Sequence, residues 1–423
     1  MLMGGTDKDV GTRTAVDSKG NVYAIGYFKG VANFGGGDMT SKGDSDVFLT
    51  SFSATGVHRW QIALGGTGFE HGYGVAVDAA DNVYITGGFY NTVDLGGGSV
   101  TSQGDYDVFI VSYTSHGVHR WQKVLGSTEI AVGHNIAVDE SSNIYITGHF
   151  LGTANLGGGN ITAQSSDAFV TSFTSAGVHR WQKALGGSGY DVGYGVAVDK
   201  SSNVYVAGTF EGRADLGGGS VTSKGDLDIF VVSYSSTGAH RWQRANGGPF
   251  FDRCLSAAAD ENGNVYVTGY FEGATTDLGG GSLTSRGSRG LADAFITSFS
   301  SIGTHRWQKT LGGIYSDKGT AVAVDGSGNI YVSGDFQHLA FLGGDDVFSK
   351  GSIDIFVTSY SSIGVHRWQK ALGGTDTDYT HGVAVDLTGN IYVTGSFDQT
   401  TDLGMGSITG KGDFDAFLVK LTP

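Results

Sequence analysis

Proline is almost absent from this 423-residue chain: there are 2, against 73 glycines. Turns must therefore be made by glycine and by Asn, Asp and Ser, whose side chains bond their own backbone. There is 1 cysteine, Cys254, which excludes an internal disulfide framework. A small buried hydrophobe is the expected role for it. Charged residues are only 16% of the chain, and their balance is acidic, with a formal net charge of −15. That balance argues against nucleic acid as a partner, because phosphate neutralisation needs clustered Lys and Arg. No apolar run reaches the roughly 18 residues that a membrane-crossing helix needs.

What is present is repetition. All 6 tryptophans stand in one tetrapeptide, His-Arg-Trp-Gln, at Trp60, Trp121, Trp181, Trp242, Trp307 and Trp368. A second marker, Asn-(Val/Ile)-Tyr, occurs seven times, at Asn21, Asn82, Asn143, Asn203, Asn264, Asn329 and Asn390. One unit of about 61 residues is thus repeated seven times. Length alone would suggest two or three domains. A unit this small cannot bury a core by itself and must stack on its neighbours.

The unit from Gly72 to Gly126 reads as four strands. Gly74 to Asp78 is a short apolar run, and Asn82 to Gly87 follows a tight turn. A Gly-rich stretch leads to Asp107–Tyr113, and a Ser/Gly turn reverses the chain into Val118–Leu125. Side chains two apart share a face, so Phe109, Tyr113, His119 and Trp121 are expected on one side, with Val108, Ile110, Ser112 and Arg120 on the other. Sheets of that kind pack front to back, and a repeated head-to-tail contact closes into a ring. The expected fold is all-β: a seven-bladed β-propeller of four-stranded antiparallel blades, one domain over 1–423. Its blades fall near 11–66, 72–126, 133–187, 193–248, 254–313, 319–374 and 380–423 plus 1–5. The last blade lacks a fourth strand, which the N-terminal segment Met1 to Gly5 offers in part. That segment matches Ala63 to Gly66, the end of another unit, so the chain is expected to be a fragment or processed form without its signal segment. A parallel β-solenoid of three short coils per unit is the alternative, but it has no need of the hairpin turns.

Gly-Val-Ala-Val-Asp, Asn-Val-Tyr-Val-Thr-Gly, Asp-Leu-Gly-Gly-Gly-Ser-x-Thr-Ser-x-Gly, Asp-x-Phe-Val and His-x-Trp together resemble the bacterial seven-bladed β-propeller repeat family, SBBP. The resemblance runs the length of the chain. It implies a propeller found mostly in secreted or cell-surface bacterial proteins, and it implies no defined activity.

Eight residues ahead of the Asp that ends each first strand, six units carry a carboxylate: Asp9, Glu70, Asp191, Asp252, Asp317 and Asp378. The seventh has Ala131. If first strands are innermost, these residues ring one mouth of the central channel, where hard oxygen donors would suit Ca²⁺. His71, His134 and His381 fall in the same stretches and add softer donors. The competing reading is turn chemistry, with each carboxylate accepting N–H bonds from its own loop. The histidine of each His-Arg-Trp-Gln is expected to pack between blades, its arginine to cross to a neighbour or a local carboxylate. The aspartates at 46, 107, 167, 228, 293, 354 and 415 are expected to close turns.

No residue is assigned to catalysis. Asp-Leu-Gly-Gly-Gly lacks the Lys-Ser/Thr pair of a phosphate loop, and Gly-x-Ser-x-Gly, His-Glu-x-x-His and paired cysteines are missing. The expected role is a non-catalytic extracellular or cell-surface binding or structural module, with a protein, a glycan or another copy of itself as partner. A lectin with one site per blade, or a polysaccharide-active propeller enzyme, is the alternative. Breaks in the repeat mark the candidate partner contacts: Phe250 and Phe251, Arg286 and Arg289, His338 and Phe341.

Overall fold

Alternating side chains and Asx turns produce strands throughout the computed structural model, which describes residues 1–273, 275–287 and 291–422. Arg289 lies outside the described residues. Every regular element among the described residues is a β-strand. One unit runs Glu70–Val77, Val83–Phe89, Asp107–Tyr113, His119–Ser127, each strand antiparallel to the next. Asp78 makes the first turn: its carboxylate accepts the N–H groups of Ala80 at 2.9 Å and Asn82 at 2.8 Å, and the Tyr84 hydroxyl at 2.8 Å. Gly117, at φ +77°, makes the last.

Two bulges in this sheet set what its side chains do. The first lies between the third and fourth strands, where the register shifts after Ser112↔Trp121 to Tyr113↔His119, leaving Arg120 unpaired. His119 therefore meets the Tyr113 ring edge-on at 5.8 Å, while Trp121 turns to the opposite face and lies 6.1 Å from Tyr84. The expectation that these rings share one face is corrected here: the extra residue flips the period-2 alternation. Trp121 packs beside Val108, Ile110 and the following unit, and its Nε1–H donates to the Ser175 carbonyl there at 2.9 Å. The second bulge lies in the first strand, between Gly72 and Gly74.

The Gly-rich stretch forms a small hairpin, Thr92–Asp94 with Ser99–Thr101. Its first strand pairs with the end of the previous unit's fourth strand, Val93 opposite Gly66. Each such hairpin ties its unit to the one before, and the same link joins Gly186–Gly187 to Ala214–Asp215 and Gly312–Gly313 to Ala340–Phe341.

First strands pack side by side in a closed series: Asp9–Val16, Glu70–Val77, Ala131–Val138, Val192–Val198, Asp252–Ala259, Lys318–Val324, Asp378–Val385, and back to Asp9–Val16. They wall a central channel. The core lies between units, as where Ile25, Val47 and Leu49 meet Val83, Phe109 and Tyr113. Leu2–Gly5 pairs with Asp415–Leu421, Leu2 opposite Phe417 and Met3 opposite Ala416, and the ring is an all-β propeller.

Candidate functional site

The first-strand bulge recurs in every unit. Register shifts fall at Gly11/Arg13, Gly72/Gly74, Gly133/Asn135, Gly193/Gly195, Cys254/Ser256, Gly319/Ala321 and Thr380/Gly382. A bulged residue has no partner across the ladder and is re-aimed. The skipped residues are Thr12, Tyr73, His134, Tyr194, Leu255, Thr320 and His381, and all seven line one cavity of about 280 Å³. These residues differ between units, as do the columns of Val10, His71, Arg253, Lys318 and Tyr379 and of Arg13, Gly74, Asn135, Ser256 and Ala321 beside them. Signal for this site existed in the sequence, as a first-strand column that differs between units, but the columns two before it and one after it differ at least as much.

Around one side of the cavity runs an arc of rings. Tyr27 and His71 have centroids 4.1 Å apart, Tyr73 and His134 5.6 Å, and His134 and Tyr194 5.2 Å. His71 Nδ1 lies 3.0 Å from the Tyr73 hydroxyl, and His134 Nε2 lies 3.0 Å from His149 Nδ1. Burial, with Lys8 adding to it, holds His71 down at about 4. Burial, then Arg13 and Lys8, do the same to His381. These imidazoles are neutral at pH 7.

Cations occupy the other side. Arg13 reaches across the channel, donating to the carbonyls of His381 and, at 3.5 Å, Leu255. Lys8 and Lys318 line an adjoining cavity of about 500 Å³ with Asp335, Tyr379 and Phe414. Burial raises the Asp335 carboxyl to about 8, although it accepts the Thr380 N–H at 2.8 Å.

The expected carboxylate ring is placed differently. Asp9, Glu70, Asp191, Asp252, Asp317 and Asp378 are at most 1% exposed, sunk between neighbouring units. Each accepts the backbone N–H of a residue four earlier, for example Gly66 to Glu70 at 2.9 Å and Gly187 to Asp191 at 2.8 Å. Where the unit has Ala131, the equivalent N–H of Ser127 turns to Asp107 instead, at 2.9 Å. An open ring at the mouth is thereby corrected to turn chemistry, because the side chains point along the sheet edge into the previous unit. Each faces that unit's third-strand aspartate. A Cβ on Gly186 would lie 2.6 Å from Asp191 and 2.7 Å from Asp167, which is why glycine stands between them. Burial, with the facing aspartate adding to it, pushes Asp9, Glu70, Asp191, Asp252 and Asp317 up to about 7. Among the described residues, no three His, Cys, Asp or Glu side chains converge as a metal site.

The candidate contacts at the breaks in the repeat meet other parts of the chain. The Arg286 guanidinium lies 4.3 Å over the Phe341 ring, and His338 lies 4.4 Å from Tyr315. Phe250 abuts Gly273, and Phe251 is partly exposed. His58 and its equivalents face rings of their own unit, Phe52 at 5.6 Å, so the expected inter-blade packing belongs to the tryptophans instead. Cys254 is fully buried, as expected.

The chain was compared with known proteins. It is similar to the uncharacterised WD repeat-containing protein L264 of Acanthamoeba polyphaga mimivirus, 22% identical over 506 residues, covering 94% of this chain and 36% of that protein. It is also similar to the regulatory protein FlaEY of Caulobacter vibrioides, 29% identical over 129 residues, covering 30% of this chain and 13% of that protein. The chain thus spans about a third or less of the curated relatives it matches. Among solved structures, YCF48 bound to D1 peptide aligns with a TM-score of 0.44 at 8% identity, over 98% of this chain and 94% of that one. A gluconolactonase of Xanthomonas campestris aligns with a TM-score of 0.36 at 11% identity, over 78% and 84%. The family model described as a β-propeller repeat, SBBP, matches residues 124–149, 181–209 and 368–396. Each match runs from a fourth strand through the first two strands of the next unit, and the chain carries β-propeller repeats of the SBBP type at these three places.

Proposed function

We propose that this chain is a seven-bladed propeller acting as a non-catalytic binding module on the outside of a bacterial cell, with one site, at the bulge-lined mouth of its channel. What supports the blade count is the closed series of first strands round the channel, with Leu2–Gly5 paired to Asp415–Leu421. The observation that carries the single-site reading is that the seven bulged residues, Thr, Tyr, His, Tyr, Leu, Thr and His, differ between units and line one cavity. Ligand recognition needs unlike groups around one point, whereas structural positions need like groups in every blade.

The alternative lectin with one site per blade would need free tryptophan faces. Instead the indoles are spent between blades, with Trp60, Trp181, Trp242 and Trp307 donating to carbonyls of the following unit at 2.8 to 3.0 Å. A catalytic reading would need a base oriented by a third group. The mouth histidines have a tyrosine and another histidine as partners.

The test is a thermal-shift screen of small glycans, peptides and organic acids. Compounds that stabilise the protein should lose their effect in Tyr73→Ala and Tyr194→Ala and keep it in Ile363→Ala, whose exposed side chain sits on a turn at the other end of the strands. Stabilisation retained in both tyrosine variants would move the site away from the mouth.

A further inference from the structure

Resting on that single-site reading, we infer that the mouth binds a carboxylated sugar, a hexuronate that is free or terminal in an acidic glycan, with its ring against the tyrosine–histidine arc and its carboxylate on Arg13 and Lys318.

The charge argument comes first. The protein carries 26 Lys and Arg against 41 Asp and Glu. Yet Lys8, Arg13 and Lys318 converge on two adjoining cavities whose lining includes one carboxyl, Asp335. The ion pairs of the described residues are Lys19–Asp81, Lys200–Glu261 and Lys350–Asp402, and none involves these cations. Lys318 and Lys8 rest over the rings of Tyr270, at 5.2 Å, and Phe414, at 5.9 Å. Arg13 spends one N–H of each terminal nitrogen on carbonyls, which hold it across the channel, and its Nε–H has no acceptor among the described residues. A planar guanidinium pinned in this way is preorganised for a carboxylate. Burial raises the Asp335 carboxyl to about 8, which weakens its opposition to this charge.

The shape and edge chemistry narrow the class. The two cavities share Val10, Tyr27, Thr320 and His381, and at about 280 and 500 Å³ they suit one or two sugar rings. Rings from four units, Tyr27, Tyr73, His134 and Tyr194, line the cavity and offer surface to the C–H side of a pyranose. Their hydroxyls and ring nitrogens, with the Thr12 and Thr320 hydroxyls, offer partners for several sugar hydroxyls.

Isothermal titration of the full chain with D-glucuronate, digalacturonate, D-glucose and inorganic phosphate tests this. The expected result is one site per chain, with glucuronate bound about tenfold or more tighter than glucose, the value of one charge-assisted contact. Arg13→Gln should lose that tenfold. Because Arg13 also braces the channel, the double variant Lys8→Gln/Lys318→Gln, at two exposed positions, is the companion: it should weaken glucuronate, leave any glucose binding unchanged and flatten the salt dependence. Equal affinity for glucose, a preference for phosphate, or no uronate binding overturns the ligand class; the mouth as the site then stands or falls on the tyrosine variants. Uronate binding that survives both Lys8→Gln/Lys318→Gln and Tyr73→Ala overturns class and site together. Six or seven uronates per chain would return the lectin reading.

Discussion

At the foot of one unit, Asp17 accepts the Asn21 N–H and the Tyr23 hydroxyl, and Arg59 bonds that hydroxyl and Ser51. At the foot of the next, Asp78, Asn82, Tyr84, Arg120 and Ser112 repeat the arrangement. At the mouth the same two units present Thr12 and Tyr73. The foot holds one blade's turn, core and outer strand together, so every blade requires the same atoms. A bulged residue at the mouth has no backbone partner across the ladder and can differ: Thr12 bonds the Ile25 and Gly72 carbonyls, whereas Tyr73 meets the His71 ring nitrogen. The last blade sits between these cases. Asp386, Asn390 and Tyr392 are in place, but no arginine follows. Lys420 stands over the Tyr392 ring at 5.4 Å and donates to the Ala54 carbonyl at 3.3 Å, the place taken elsewhere by arginine and by the indole N–H.

The contrast breaks most sharply at the foot. Asp139→Ala removes the acceptor of Ser141 N–H, Asn143 N–H and the buried Tyr145 hydroxyl, and should cost about 3 kcal/mol in chemical denaturation. A second break is set by pH. Carboxyls held near 7 in the fold, Asp9, Glu70, Asp191, Asp252 and Asp317 among them, lose their protons near pH 4 when unfolded. Between those values folding takes up protons, so the stability these carboxyls contribute is full at and below pH 4, falls as pH rises to 7, and is flat above. Melting followed by circular dichroism should show that decline, and Asp191→Asn should make it shallower.

The last blade gives the next test. Met3 opposes Ala416 as Leu64 opposes Val47, so His-Arg-Trp-Gln added directly ahead of Met1 falls in the register of His58 to Gln61. The added indole would enter the groove lined by Phe52, Tyr392 and Met405. Stabilisation of about 2 kcal/mol is expected from that burial, and a tryptophan-to-alanine version of the addition should forfeit most of it. The smallest effect belongs to the mouth. Thr12→Ser should change the unfolding free energy by less than about 0.5 kcal/mol. A larger cost would mean that the bulged positions serve stability after all.

The strands and turns were legible because their determinants are local. Asp107–Tyr113 reads as a strand from its own alternation, and Asp78 and Gly117 mark turns from their own backbone needs. Trp121 was misread because one unpaired residue, Arg120, reverses the face of everything beyond it, and nothing in the local pattern announces a bulge. The Gly-rich stretch read as a loop because its partner, the end of the previous fourth strand, lies outside the unit. The carboxylates read as an open ring because spacing places Glu70 at the start of an inner strand without saying that its side chain turns toward Asp46.

The amino-acid sequence by itself determined the repeat, the four strands of each unit and the front-to-back stacking, since period, hydrophobic alternation and turn residues act over a few positions. Only the tertiary structure decided which residues share the channel. Thr12, His134, Leu255 and His381 are separated by more than a hundred residues each and meet because strand register, bulge and ring closure place them about one axis. None of those three is encoded within reach of a single side chain.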